Sequence, residues 1–368
     1  DREVRDLIAD ALDDTLVIEA AAGTGKTTQL IARMARVLAT GRAGISELAA
    51  VTFTEKAAGE LKLRLRQELE DVRALADGDE RRRLGHALAH LEDAHISTIH
   101  GFCADLLREH PVEARVDPLF AVLTEDQTAR LYDEAFDGWL HEALRDPPEG
   151  VRRSLRRVSR SSLADTEDGP VERLRRAGRD LLEWRDFDAG WERPVYAREA
   201  AIGMLVQQLH AFVELRSRAA SLRDPLFTDT AAAARTCEAL TLQSASGARD
   251  DDGAESLLVD LAKNYDFRQK VRRGTGSTFA SGLPREAVHD AYRDLLAALQ
   301  GFAADADADL AALLRDELRE SIHRYERLKR REGALDFLDL LLRARDLVRD
   351  DPEVRRELQA RFTRIFVD

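Results

Sequence analysis

Apolar positions along this chain follow two rhythms. Over residues 1–110 short apolar runs alternate with stretches in which apolar side chains recur every three or four residues. Leu16-Val17-Ile18 and Leu48-Ala49-Ala50-Val51-Thr52-Phe53 have the length and content of buried strands. Between them Leu30, Ile31, Met34, Val37 and Leu38 fall at helical spacing, so a helix is predicted to cross from one strand to the next. After Thr54, Leu61, Leu65 and Leu69 form one stripe of another helix. Strand, helix, strand, helix predicts a parallel α/β sheet.

From about residue 111 the rhythm is helical alone. Leu131, Tyr132, Ala135, Phe136, Trp139 and Leu140 line one face, and the same period returns over 205–215, 257–261 and 292–302. Turn and loop residues interrupt it at 146–150, 169–170, 250–253 and 274–284. Neither strand alternation nor a fixed-period repeat is evident. A helical pattern over 338–347 then leads to Arg361-Phe362-Thr363-Arg364-Ile365-Phe366-Val367-Asp368, a buried strand with a carboxylate at its end. The chain opens on Asp1-Arg2-Glu3 without a Met and stops on that strand, which is expected of a piece cut from a longer protein.

Composition narrows the reading slightly. The 368 residues are 44% hydrophobic and 34% charged, suiting a globular chain of about two domains. No apolar run is long enough for a membrane span and no signal peptide is visible, so a cytoplasmic protein is expected. The two cysteines, Cys103 and Cys237, offer neither a disulfide framework nor a zinc site. A net charge of −13 argues against a generally basic nucleic-acid binder, but not against a groove lined locally with donors.

The sharpest chemical signal is Ala20-Ala21-Ala22-Gly23-Thr24-Gly25-Lys26-Thr27, followed by Thr28, between the first expected strand and the first helix. Gly23 and Gly25 allow a tight backbone path that turns successive N–H groups toward phosphate oxygens. The helix N-terminus favours an anion, Lys26 reaches β- and γ-phosphates, and the Thr27 hydroxyl can ligate Mg²⁺. Ala20 stands where the general pattern has Gly.

Written this way, the loop resembles that of superfamily-1 DNA helicases of the UvrD/RecB/AddA kind, nearest the RecB/AddA branch. Val51-Thr52-Phe53-Thr54-Glu55-Lys56-Ala57-Ala58-Gly59-Glu60-Leu61 is similar to motif Ia of that family. There Thr52 and Thr54 would hold a DNA phosphate and Phe53 would support a base. His95-Ile96-Ser97-Thr98-Ile99-His100-Gly101 resembles the next motif, Thr-x-His, which implies that Thr98 and His100 touch the DNA backbone; His95 is read as structural. The stretch from Tyr325 to Asp339, with Leu335-Asp336-Phe337, resembles the segment that returns the chain to the ATPase core. Asp336 and Asp339 are read there as a helix cap and a solvated acid rather than catalytic partners. The final strand resembles the lead into motif II, whose first acid, Asp368, would hold Mg²⁺ through water. No Gln precedes the loop, so the family's adenine contact has no counterpart in this chain.

The resemblance implies an α/β P-loop NTPase fold: a RecA-like parallel sheet core with a large helical insertion. Residues 1–110 plus 333–368 would form an incomplete ATP-binding subdomain 1A, and 111–332 a helical 1B-like insertion. It implies an ATP- and Mg²⁺-dependent DNA helicase, with Lys26 and Asp368 in the catalytic machinery. Its DNA partner would be single-stranded or a duplex junction, with 3′-to-5′ movement in repair or recombination. In the family the catalytic Glu follows Asp368, so residues 1–368 alone are expected to be inactive. A non-catalytic DNA-binding or scaffold module is argued against by the intact Lys26-Thr27 pair, and two further rivals remain at this point. One is the helicase component of a RecB/AddA-type helicase–nuclease with a nuclease partner. The other is a P-loop NTPase without DNA binding, for which a Thr-Phe-Thr strand end followed by Thr-x-His has no evident use. The basic, aromatic stretch 263–273 in the insertion is read as a solvated helix face rather than a DNA contact.

Overall fold

The computed structural model describes residues 2–19, 21, 23–157, 169–187, 189–193, 195, 197–245 and 250–368. They form two units, one from Asp1–Thr128 and Arg330–Asp368, the other from Ala129–Lys329. The chain runs through α1 (Arg2–Asp10), α2 (Lys26–Ala39), β1 (Leu48–Thr52), α3 (Glu55–Leu75), α4 (Gly78–Ala89), β2 (His95–Thr98) and α5 (Ile99–Glu109). A short β3 (Ala121–Val122) and α6 (Glu125–Ala143) lead into the second unit. That unit holds α7 (Glu149–Arg156), α8 (Pro170–Glu183), α9 (Arg198–Ser217), α10 (Pro225–Asp229), α11 (Ala231–Ala245), α12 (Asp251–Lys263) and α13 (Tyr265–Gln269). There follow β4 (Thr278–Ala280), β5 (Leu283–Pro284) and the 48-residue α14 (Arg285–Glu332). Back in the first unit come β6 (Ala334–Leu335), α15 (Phe337–Asp350), α16 (Pro352–Arg361) and β7 (Arg364–Val367). The architecture is mostly helical around a small sheet core.

That core is a parallel sheet in the order β2-β1-β7, with Thr52 beside Thr98 and Val51 beside Val367. Alternation along β1 sends its side chains to two faces. Leu48 and Ala50 join Ile31, Met34, Leu61, Leu65 and Leu84 from α2, α3 and α4. Ala49 joins Leu107, Leu340, Leu347 and Leu358 from α5, α15 and α16, and Phe362 just after α16. Every β1 residue is buried, as a parallel strand covered on both faces requires. Each such aliphatic side chain contributes on the order of 1.5–3 kcal/mol by leaving water.

One expected strand is absent. Leu16-Val17-Ile18 forms no strand, and Val17 is 90% exposed. An apolar run becomes a strand only where a neighbouring ladder takes up its N–H and C=O groups. Among the described residues β7 pairs only with β1, and Ile365 and Val367 lie exposed. The segment before the glycine loop is anchored from the helical side instead. The Arg33 guanidinium of α2 donates to the carbonyls of Ile8 (2.6 Å), Ala11 (2.7 Å) and Asp14 (3.0 Å).

In the second unit Leu209, Phe212, Leu258, Phe267, Leu295 and Leu299 belong to one apolar core. Beside it lies a charged network that helical periodicity did not announce. The fully buried Arg153 of α7 bonds Asp309 (2.5 Å) and Glu149 (3.0 Å) and pairs with Glu255 (3.0 Å). Arg198 adds bonds to Glu255 (2.6 Å) and Asp252 (2.7 Å), tying α9 to α12. Such a closed network is costly to break at one member, because a buried charge is then left without its partner. A small antiparallel hairpin, β4–β5, stands where the sequence showed no alternation. Strands of three and two residues are too short to display one. The basic stretch 263–273 meets acids within its own unit: Lys263 with Asp307, Lys270 with Asp266, Arg272 with Asp229 and Arg273 with Glu286. Its Phe267 is buried, so one side of the stretch packs into the unit where a solvated helix face was expected.

Candidate functional site

Thr52, Phe53, Thr54, Thr98, His100 and Asp368 lie at or just past the C-terminal ends of β1, β2 and β7, and the glycine loop opens α2 beside Asp368. Gly25 is the N-cap of α2 and, like Gly23, has a left-handed backbone, with φ of +87° and +78° respectively. A Cβ at either position meets nothing within 4 Å, so conformation and not space demands glycine here. Gly25 has no side chain with which to cap α2. The Thr24 hydroxyl donates to the Ala21 carbonyl at 2.8 Å, and the Lys26 ammonium donates to the same oxygen at 3.2 Å. Ala20 and Ala22 lie outside the described residues. Thr28 is exposed on the first turn of α2.

Thr27 and Asp368 meet beside this loop. The Thr27 hydroxyl lies 3.1 and 3.2 Å from the two carboxylate oxygens of Asp368. One hydroxyl and one carboxylate suit a magnesium ion, which prefers a few protein oxygens and leaves the rest of its octahedron to phosphate and water. The two left-handed glycines at the helix start and this oxygen pair lie side by side.

The second group follows the ends of β1 and β2. Thr52 is buried as the last residue of β1, whereas Phe53, the next residue, is 76% exposed. Thr54 caps α3 by accepting from the Ala57 N–H at 3.1 Å, which leaves its hydroxyl proton to donate. Thr98 caps α5 by accepting from the Gly101 N–H at 3.0 Å and donates to Glu55 at 3.1 Å. The Thr98 hydroxyl therefore joins the starts of α3 and α5, and its proton is directed at Glu55. His100, half-buried on the first turn of α5, meets the ring of Phe337 edge-on at 5.2 Å.

Phe337 is a residue whose part in the site the sequence did not reveal. It opens α15 directly after the cap, 42% exposed, and is brought to His100 by the fold. Its only local signal is an aromatic side chain at the first position of a helix. The neighbouring acids are both buried and cap that helix reciprocally. The Asp339 N–H donates to Asp336 at 2.9 Å and the Asp336 N–H to Asp339 at 3.0 Å. His95 starts β2, at the other end of the strand from Thr98. There it bonds Arg361 at 3.0 Å and meets Phe362 edge-on. Burial, with Arg361 beside it, holds its imidazole below the ordinary histidine value, a structural setting.

Comparison with known proteins bears on this arrangement. The profile of a family described as UvrD/REP helicase N-terminal domain matches residues 2–368. A protein of Lactobacillus helveticus, named as an ATP-dependent helicase/nuclease subunit, is 24% identical over 96% of this chain and 32% of its own length. Proteins of the same name are 38% identical in Ligilactobacillus salivarius, over 34% of this chain and 10% of theirs, and 35% identical in Listeria welshimeri, over 35% and 10%. The chain thus spans about a third or less of the length of these relatives. Among the described residues no helix is long and apolar enough to cross a membrane.

Proposed function

The chain belongs to the UvrD/REP helicase N-terminal domain family, and from that premise we propose that it is the ATP-binding and single-strand-engaging part of an ATP-dependent DNA helicase. The observation that carries the reading is the Thr27–Asp368 contact beside a loop with two left-handed glycines that opens α2. Gly23, Thr24, Gly25 and the first turn of α2 would cradle the phosphates, with Ala21 and Lys26 at the mouth of the loop. Thr27 and Asp368 would hold Mg²⁺, in the manner of a RecA-like P-loop NTPase. The chemistry that the ion would supply beside the loop is positive charge for the phosphates.

The residues of the chain then divide the work. Lys26 turns from the Ala21 carbonyl to the phosphates, where it offsets their charge. Phe53 offers a face for a base, Thr54 a hydroxyl for a phosphate, and the His100–Phe337 pair a second aromatic surface. Thr98 and Glu55 keep the two helix starts in register beneath them. The nucleotide loop, beside Asp368 at the end of β7, and the strip at the ends of β1 and β2 belong to one sheet unit, which suits a motor whose nucleotide state governs its hold on DNA. Movement from 3′ to 5′ belongs to the reading by resemblance.

The names of the relatives favour a specific form of this reading, the helicase component of a helicase–nuclease with a nuclease partner. A P-loop NTPase without DNA binding is disfavoured by Phe53, an exposed aromatic on a sheet edge beside hydroxyls. The test is unwinding of a forked DNA duplex by the parent protein with Mg·ATP. Strand separation that needs both ATP and a single-stranded arm is expected. ATP hydrolysis indifferent to DNA, with no separation, would overturn the reading.

A further inference from the structure

The two elements that carry Thr27 and Asp368 are both tied, away from the glycine loop, to one short turn. Thr27 lies on α2 and Asp368 follows β7, and the turn is residues 10–14, which closes α1. There the Ala11 N–H donates to the Leu7 carbonyl and the Asp14 N–H to the Ala11 carbonyl. Leu12 is buried in the same core as Ile31 and Met34, which seats the turn on α2.

Arginines of both elements reach it. From α2, the buried Arg33 donates to the carbonyls of Ile8, Ala11 and Asp14, and Arg36 bonds Asp10 at 2.7 Å. Burying a guanidinium costs desolvation, which is offset here by carbonyl oxygens of this one turn and the end of α1. Just past α2, Arg42 pairs with one carboxylate oxygen of Asp13. Arg364, the first residue of β7, bonds the other at 2.9 Å. Asp13 therefore bridges the end of α2 to the start of β7.

This attachment bears on the site because the chain between the turn and the loop has little else to hold it. Leu16-Val17-Ile18 forms no strand, so no ladder fixes its course. A magnesium ion, in turn, tolerates little error in its ligands: it demands near-ideal octahedral geometry at about 2.0–2.1 Å. A misplacement of about 1 Å in a site of this kind can cost about a hundredfold. We infer that Arg33 and Asp13 are positioning residues for the metal site: through the turn at 10–14 they hold α2 and β7 in the register that lets Thr27 and Asp368 share one ion. This rests on the nucleotide reading above and extends it to residues set back from the loop.

The test is ATP hydrolysis by the parent protein with single-stranded DNA, titrated with Mg²⁺ at saturating ATP, in Asp13→Ala, Asp13→Glu and Arg33→Lys. Thr27→Ala serves as the control on the metal reading. Asp13→Ala and Arg33→Lys are expected to need about tenfold more Mg²⁺ for half-maximal turnover, with binding of Mg²⁺-free ATP unchanged. Asp13→Glu keeps a carboxylate for both arginines and is expected to recover most of the loss. Asp13 is exposed and its ion pairs add little to overall stability, so Asp13→Ala decides the matter even where Arg33→Lys does not fold. A Mg²⁺ requirement shifted by Thr27→Ala but unmoved by Asp13→Ala would overturn the positioning role and leave the metal reading standing. A requirement unmoved by Thr27→Ala would overturn both.

Discussion

Thr27 and Asp368 stand 341 positions apart in the chain, yet the threonine hydroxyl lies 3.1 Å and 3.2 Å from the two oxygens of the aspartate carboxylate. The parallel sheet brings them together: β7 runs beside β1, and Asp368 extends it by donating its N–H to the Val51 carbonyl at 3.0 Å. Thr27→Ala or Asp368→Asn in the parent protein should weaken Mg·ATP binding about tenfold or more, since a magnesium ion has few protein oxygens to lose. Binding of ATP without Mg²⁺ should change little. Titration of a fluorescent ATP analogue with and without Mg²⁺ separates the two, and an unaltered Mg²⁺ dependence would refute the metal assignment.

Phe53 and Phe337 should act as stacking surfaces. Replacing either with Ala should weaken binding of a short thymidine oligonucleotide by about 1–3 kcal/mol per lost base contact. The slope of affinity against salt should stay the same, because neither ring touches phosphate. Anisotropy titrations across a range of salt test both statements. A change in slope without loss of affinity would assign the strip to backbone contact alone.

The Asp336–Asp339 cap makes a separate statement about stability. Asp336→Ala removes the acceptor for the Asp339 N–H and should cost about 0.5–2 kcal/mol. Asp336→Asn keeps an acceptor oxygen and should recover most of that loss. Chemical denaturation of the two variants decides it. Equal stability of Asp336→Ala and the unaltered protein would mean that the cap carries no weight.

Asp229 gives the second unit a response to acid. Hydrogen bonds from the side chain and backbone N–H of Arg272 hold its carboxyl down at about 2, against an ordinary value of 3.8. A depressed carboxyl stabilises the fold above the unfolded value, and that contribution is lost as pH falls through the folded one. Stability should therefore decline between about pH 4 and pH 2, and Asp229→Asn should flatten that part of the profile. Acid titration followed by circular dichroism reads the difference. An unchanged profile in the variant would show that the pair does not contribute.

What the sequence disclosed depended on the range of the interaction. The cap at Asp336, the helix over Leu61, Leu65 and Leu69, and the buried run of β1 are set by neighbours a few positions away, and they were legible. Leu16-Val17-Ile18 was misread because its composition suits a strand, while the ladder that makes one must come from elsewhere in the fold. Phe337 stayed hidden because its meaning lies in His100, on a distant helix. Arg153 carried no signal in the sequence because its partners Asp309 and Glu255 come from α14 and α12.

The central claim is that the loop at Gly23, Gly25 and Lys26 binds ATP for a DNA-dependent motor. Its most direct test is ATP hydrolysis by the parent protein and its Lys26→Ala variant, each with and without single-stranded DNA. Lys26 is exposed and its replacement leaves the core intact. The account predicts turnover stimulated by DNA in the unaltered protein and, in the variant, turnover about a hundredfold lower or less, with or without DNA, from the loss of charge stabilisation. Undiminished turnover in Lys26→Ala would contradict it.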